Sequence, residues 1–280
     1  MNKIVILIQC ADRVGLVAAI SEIVAAHKLN ITVMREFVDQ DLQMFFTRIE
    51  CTGTEINPPM LKKAFETKLG TNSIIQIHPE KRFKKIAIMV SKEYHCLADI
   101  LVKHFFGQLA ADICCIIGNH NTLESFANRF SIPFYDISNE NKSREQFENE
   151  LSNTLNKYKP DYIFLAKFMR ILSGEFISHY PNRIINIHHS FLPAFIGAQP
   201  YRQAFERGVK IIGATAHIVT EELDNGPIIV QEVIHINHNY SIPQMKLAGR
   251  EIERSVLGKA MNLILDDKVF VVGNKTIIFE

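Results

Sequence analysis

The sequence predicts a two-part α/β protein: an N-terminal ferredoxin-like βαββαβ unit, then a Rossmann-like, mostly parallel sheet. Three observations predict it. Residues 3–78 order strand, helix, strand, strand, helix, strand. From residue 84 onward, Ile- and Val-rich runs alternate with helical stretches, the pattern of a helix-covered parallel sheet. Between them, Pro79-Glu80-Lys81-Arg82-Phe83-Lys84-Lys85 is polar and basic, which divides the chain into residues 1–83 and 84–280.

Residues 3–9 alternate and are rich in Ile and Val, so they read as a strand. Residues 14–28 carry apolar positions at helical spacing. Residues 31–38 and 44–51 read as strands joined by the polar turn Asp39-Gln40-Asp41. Residues 58–69 read as a helix, with Pro58 at its start and Gly70 after its end. Residues 73–78 close the first unit as a strand. In the second unit, strands are expected at 86–90, 112–117, 162–166, 184–187, 211–219 and 228–236. Helices are expected at 95–108, 121–130, 143–157 and 242–265.

The 280 residues are 47% hydrophobic and 22% charged, enough apolar chain to bury a substantial core. A net charge of +1 offers no bulk electrostatic grip on nucleic acid, so no nucleic-acid partner is expected. No apolar run approaches the ~20 residues a membrane-spanning helix needs. The opening run, residues 1–9, is too brief for a secretory signal and reads as a first strand. The five cysteines, Cys10, Cys51, Cys96, Cys114 and Cys115, are odd in number and follow no disulfide spacing. They read as reduced residues, which implies a reducing, cytoplasmic location. His-Glu-x-x-His and zinc-spaced Cys/His pairs are missing from the sequence, so no metal is expected. Neither Gly-x-Gly-x-x-Gly nor a Walker A string occurs, which argues against a nucleotide-dependent enzyme.

The chemistry concentrates in Asn186-Ile187-His188 and Asp224. An amide N–H can stabilise a developing oxyanion, an imidazole can move a proton near neutral pH, and a carboxylate can orient and charge-balance that imidazole. Each has a plainer reading. Asn186 can punctuate a strand end, His188 can be structural, and Asp224-Asn225-Gly226-Pro227 is a good turn sequence. On a strand, His188 shares its side with Asn186 while His189 points away, which favours His188 as the working imidazole. The run leaves a buried strand for a loop, where parallel α/β sheets keep their sites.

Asn186-Ile187-His188-His189-Ser190-Phe191-Leu192-Pro193, with Gly213-Ala214-Thr215-Ala216-His217 and Leu223-Asp224-Asn225-Gly226-Pro227, resembles the folate-dependent formyltransferase family. The first unit, with Cys10-Ala11-Asp12-Arg13-Val14-Gly15-Leu16-Val17 leading into its helix, resembles an ACT domain. The pairing of the two resembles the family's deformylase branch. That resemblance implies hydrolysis of 10-formyltetrahydrofolate to formate and tetrahydrofolate, balancing one-carbon units and supplying formate for purine biosynthesis. The folate is then the substrate, and no separate cofactor is implied. The family's catalytic amide, imidazole and carboxylate fall on Asn186, His188 and Asp224. Its pterin-binding run falls on Met169-Arg170-Ile171-Leu172, its closing loop on residues 221–226 from Glu221 to Gly226, and its site-edge histidine on His217. A strand-to-helix connection and a core histidine are the plainer readings of that run and of His217.

The family's transferases hold an acceptor phosphate in a glycine-rich loop after the first catalytic-domain strand. Here that turn reads Ser91-Lys92-Glu93-Tyr94-His95-Cys96-Leu97, without glycine and with bulky side chains, which favours water over an amine as acceptor. Transfer to an amine is the alternative enzymatic reading, and a small-molecule sensor is the non-enzymatic one. The ACT-like loop Asp12-Arg13-Val14-Gly15 offers a flexible backbone and a helix N-terminus suited to a carboxylate. Glycine or methionine is the effector the resemblance implies, and pairing of ACT domains implies a homo-oligomer. Helix capping by Asp12 is the plainer reading of the same loop.

Overall fold

The computed structural model describes residues 2–79, 82–194 and 200–280, so Met1 of the opening run and Glu80 and Lys81 of the basic stretch lie outside the described residues. The chain divides into two compact units, one ending at Arg82 and including Phe279–Glu280, the other running Phe83–Ile278.

The first unit orders β1 (Asn2–Ala11), α1 (Leu16–Ala26), β2 (Asn30–Asp39), β3 (Met44–Gly53), α2 (Pro58–Leu69) and β4 (Ile74–Pro79). Its sheet runs β2-β3-β1-β4, antiparallel throughout. Side chains alternate across a strand, so Ile4, Ile6, Ile8 and Cys10 of β1 share one face. They pack there with Ile20 and Val24 of α1 and with Leu61, Phe65 and Leu69 of α2. Helix α2 starts at Pro58 behind Asn57, whose side chain accepts the Met60 N–H at 3.1 Å. Helix α1 starts differently. Its N-cap is Gly15 at φ 88, with no side-chain cap, while the Asp12 N–H donates to the Gln43 carbonyl at 2.8 Å.

The second unit begins β5 (Lys84–Val90), α3 (His95–Phe105), β6 (Ala111–Gly118), α4 (Glu124–Asn128), β7 (Phe134–Asp136), α5 (Arg144–Tyr158) and β8 (Tyr162–Leu165). It continues α6 (Gly174–Ser178), β9 (Ile184–His188), α7 (Pro200–Arg207), β10 (Ile211–Ile218), β11 (Ile228–His235), α8 (Ile242–Leu265) and the hairpin β12 (Val269–Val272), β13 (Lys275–Ile278). The seven-stranded sheet runs β11-β10-β9-β8-β5-β6-β7. Strands β9, β8, β5, β6 and β7 are parallel, and β10 and β11 run antiparallel. The fold is the expected one: an antiparallel ACT-type sheet, then a mostly parallel sheet. Strands buried on both faces explain the unbroken apolar runs. Ile86, Ile88 and Val90 join one core with α3 and α8, while Ala87 and Met89 join another with α5. The chain order reverses between β5 and β8, and ligands of such sheets bind at the strand ends beside that switch.

Helix α8 begins with a capping box, Ser241 with Gln244, and buries a stripe including Gly249, Glu253, Val256, Leu257 and Ala260. Gly249 is required by contact: a Cβ there would collide with the Tyr201 ring and hydroxyl. The elements that sequence periodicity misses are short, namely β7, α6, α7 and the β12–β13 hairpin. Three to eight residues span too few turns or alternations to register a period.

Thr215 of β10 sits opposite His188 of β9 and is fully buried. Its hydroxyl donates to the Ser190 carbonyl at 2.9 Å and accepts from Leu192 N–H at 3.1 Å and Gln231 Nε2 at 3.0 Å. One hydroxyl therefore pins the loop leaving β9. Thr215→Val keeps the volume and removes the bonds, so it should destabilise the protein by about 1–3 kcal/mol in urea denaturation. An unchanged midpoint would show that the loop is held by other means.

Candidate active site

Strands β9 and β10 assemble the polar cluster. Asn186 and His188 are two residues apart and share a face, and the antiparallel register sets His217 opposite Asn186. Asn186 Nδ2 lies 3.2 Å from His217 Nε2, and His217 Nδ1 donates to the Ile218 carbonyl at 3.0 Å. Nε2 is thus the ring nitrogen turned toward the Asn186 amide. Asp224 reaches in from the loop after β10, with its Oδ2 3.2 Å from His188 Nδ1 and its Oδ1 3.6 Å from His217 Nε2. Burial would raise the Asp224 carboxyl, but hydrogen bonds and charge from His188 and His217 outweigh it and hold the group well below the usual carboxylate range. His188 Nε2 is buried and, among the described residues, has no hydrogen-bond partner. An imidazole oriented through one nitrogen, with the other available, can take or give a proton there.

A cavity of about 320 Å³ holds these groups, its walls including Met169, Arg170, Ile171, Leu172, Asn186, His188, His217, Glu221 and Asp224. Nearly all the folate-site and catalytic residues expected from sequence therefore meet in one place. Gly226 does not line this cavity. A Cβ at Gly226 would collide with the Ile218 carbonyl oxygen, so glycine there lets the Asp224 loop press against the end of β10. Met169 and Ile171 are 59% and 63% exposed, apolar side chains available to cover a flat ring. Their loop is held from several sides. The Met169 N–H donates to Ser91 Oγ at 3.0 Å, Arg144 Nη2 donates to the Ile171 carbonyl at 3.2 Å, and the Ser173 N–H donates to Glu148 Oε1 at 2.7 Å. Ser91 thus ties the turn after β5 to the loop after β8, across the switch point.

A larger cavity, about 730 Å³, shares Lys167, Met169, Arg170 and His189 with the first and is lined by Ser91, Lys92, Glu93 and His95 among others. The glycine-free turn after β5 therefore does not fill the space where an acceptor would sit. Glu253, at 1% exposure, lies against this cavity. It accepts from His95 Nε2 at 2.8 Å and from the Tyr201 hydroxyl at 2.7 Å, and Lys167 Nζ lies 3.2 Å away. Burial alone would raise the Glu253 carboxyl; the His95 hydrogen bond, the Lys167 charge and the Tyr201 hydroxyl bring it down to about 2. Burial, then the Lys167 charge, pushes the His189 imidazole down to about 4. His95, Cys96 and Glu253 also cluster as candidate metal donors, but burial pushes the Cys96 thiol up and Lys167 already neutralises Glu253, a poor donor set for a cation. His95, Lys167, Tyr201 and Glu253 escaped the sequence reading because no local spacing links them. Ser91 and His95 sit in the glycine-free turn after β5, and what the sequence hides is their partners, Met169 and Glu253, on other elements.

Asp12, Arg13 and Gly15 belong to the first unit and line neither cavity. All three are exposed, and Arg13 Nη2 donates to the Lys68 carbonyl at 2.7 Å, near the end of α2. Among the described residues, no helix is long and apolar enough to cross a membrane.

The depressed Glu253 carboxyl has a pH consequence. The unfolded chain binds this proton near pH 4.3 whereas the folded one waits until about pH 2, so stability rises with pH through that window and is lost on acidification. Glu253→Gln should be less stable at pH 7, because Lys167 loses its counter-charge and His95 its carboxylate partner. It should also lack roughly 2 kcal/mol of the stability change between pH 6 and pH 2.5. Urea denaturation from pH 6 to pH 2.5 checks both, and equal slopes in the two proteins would contradict the assignment.

Comparison with known proteins agrees with this geometry. Residues 84–261 match the formyl transferase family model and residues 4–63 match the ACT domain model. Formyltetrahydrofolate deformylase from Escherichia coli O6:H1 is 49% identical over 269 residues, covering 96% of this chain and 95% of the relative. The crystal structure of a formyltetrahydrofolate deformylase from Pseudomonas syringae pv. tomato superposes with a TM-score of 0.96 at 38% identity, covering 100% of this chain and 95% of that one. Glycinamide ribonucleotide transformylase 1 from Symbiobacterium toebii is similar over 71% of this chain and 95% of its own, with a TM-score of 0.67 at 29% identity. Only a relative with both units accounts for the full length, and the chain belongs to the formyltetrahydrofolate deformylase family.

Proposed function

We infer that this protein hydrolyses 10-formyltetrahydrofolate to formate and tetrahydrofolate. One observation carries the chemistry: the His188 ring is anchored to Asp224 through Nδ1, while Nε2 is buried and, among the described residues, unpartnered in a cavity that Asn186 also lines. The whole-length likeness to deformylases supports the substrate. In the mechanism we favour, water attacks the N10-formyl carbon and gives its proton to His188 Nε2. Asp224 holds the ring and balances its charge. The Asn186 amide, helped by the protonated imidazole, stabilises the tetrahedral oxyanion. Collapse breaks the C–N bond, returns the proton to the folate nitrogen and releases formate.

We assign the folate ring to the Met169-Arg170-Ile171-Leu172 wall, with Glu221 opposite and His217 holding the Asn186 amide. Gly226 then serves the site by shaping the Asp224 loop. The reading needs no cofactor, since the folate is itself the substrate. We assign catalysis to residues 84–280 and regulation to residues 1–83, with glycine or methionine as effector near Asp12, Arg13 and Gly15. A cytoplasmic homo-oligomer that releases formate for purine biosynthesis completes the proposal. Formyl transfer to an amine is the second reading, and the 730 Å³ cavity is the observation that favours it.

Incubation with 10-formyltetrahydrofolate alone decides between them: hydrolysis yields formate and tetrahydrofolate in equal amounts, whereas a transferase leaves the substrate unchanged. Asn186→Ala, His188→Ala and Asp224→Asn should each lower turnover by at least ~10², the scale of a lost oxyanion donor or acid–base group. Near-normal rates in all three folded variants would sink the residue assignment. Glycine and methionine, titrated separately into the full-length protein during turnover, should include one that changes the rate and shows saturable binding by calorimetry. If neither does, the amino-acid regulation is wrong.

A further inference from the structure

Lys167 is the least expected residue in the second unit. It lies just beyond the end of β8, adopts φ 65, and is 7% exposed. A left-handed backbone is costly for a lysine, and so is burying its charge. The Glu253 carboxylate offsets the cost of the buried charge, but it does not offset the cost of the backbone. Strain of this kind concentrates where a side chain is needed at one place. That place is the partition between the two cavities, since Lys167 lines both. Its Nζ is held 3.2 Å from Glu253 Oε2, and Glu253 is itself fixed by His95 and Tyr201, so the ammonium cannot swing away into solvent without leaving a buried carboxylate behind.

Resting on the deformylase reading above, we propose that Lys167 determines the acceptor: its fixed positive charge at the partition favours attack by water and disfavours attack by an amine. The argument follows from charge development. When water attacks and passes its proton to His188 Nε2, a C–O bond forms and the intermediate is an anion, which a nearby cation stabilises. When an amine attacks, a C–N bond forms and the carbonyl electron pair moves to oxygen, so the intermediate is a zwitterion without net charge until its nitrogen loses a proton, and a nearby cation gains far less from it. Both paths then break the bond to the folate nitrogen and protonate it, so they differ mainly in the net charge of the first intermediate. Steric exclusion does not make the choice, because the larger cavity is roomy enough for an acceptor. Lys167 lines the catalytic cavity whereas Glu253 lines only the larger one, so the lysine and not its counter-charge is the member of the pair that borders the reacting groups.

The test is a partition ratio, which does not depend on how much enzyme is folded. Wild-type protein, Lys167→Met and Lys167→Arg are given 10-formyltetrahydrofolate with hydroxylamine, a small amine that is largely neutral at pH 7.5. Formate and formhydroxamate are measured after subtracting the reaction without enzyme. Lys167→Met should raise the formhydroxamate-to-formate ratio by about tenfold or more, the scale of one charge–charge interaction in a shielded site, while Lys167→Arg stays near wild type. Lys167→Asn, which tolerates the left-handed backbone, serves as a second neutral variant if the methionine protein is unstable. A ratio unchanged in the neutral variants, or raised equally in Lys167→Arg, overturns the role of Lys167 while leaving hydrolysis standing. No formate from the wild-type protein overturns the deformylase reading, and this inference with it.

Discussion

The antiparallel pairing of β9 with β10 is the constraint on which the cavity depends. It places His217 across from Asn186 and Thr215 across from His188. Side chains alternate with a period of two, so a shift of one residue would turn Asn186 and His188 to the opposite face and separate them from Asp224. The register therefore specifies chemistry as well as packing. Thr215 reinforces it by pinning the backbone that leaves β9. Insertions in this region are tolerable only where they leave that ladder intact.

Two carboxylates organise the cavities of the second unit, Glu253 buried and Asp224 partly buried, and they are used in opposite ways. Glu253 is enclosed by His95, Lys167 and Tyr201, so its hydrogen-bonding capacity is largely taken up. Asp224 is bound to His188 and His217, yet the far nitrogen of His188 stays unpartnered among the described residues. The first arrangement fixes a positive charge in place. The second prepares a ring to exchange a proton. The loop after β8, which carries Lys167, is held by Ser91, Arg144 and Glu148.

Much of this was legible in the sequence because it was local. The alternation in residues 3–9, the Pro58 to Gly70 bracket around α2 and the apolar runs of the parallel strands each carry their own period or punctuation. Asn186 and His188 stood out because two polar residues at strand spacing interrupt an apolar run, and Asp224 because a carboxylate heads a strong turn. The helix start at α1 was harder. Asp12 suits a cap by type, but the backbone needs positive φ at Gly15, and conformation outranked side-chain preference. The Glu253 network was illegible because residues 95, 167, 201 and 253 are joined only by the folding of four segments. An ordinary lysine after a strand gives no sign that it will be buried.

Lys167 and Asp224 share one further property: both are L-residues at positive φ, 65° and 54°, on the rim of the same cavity. Glycine would relax the backbone at either position and remove the charge that makes it useful. Backbone ease and side-chain charge therefore pull in opposite directions at these two sites. A directed-evolution scheme that scored only thermal survival would set a relaxed backbone against a stranded Glu253 carboxylate at the first site and two histidines without their carboxylate at the second, and any glycine it kept would dismantle the cluster.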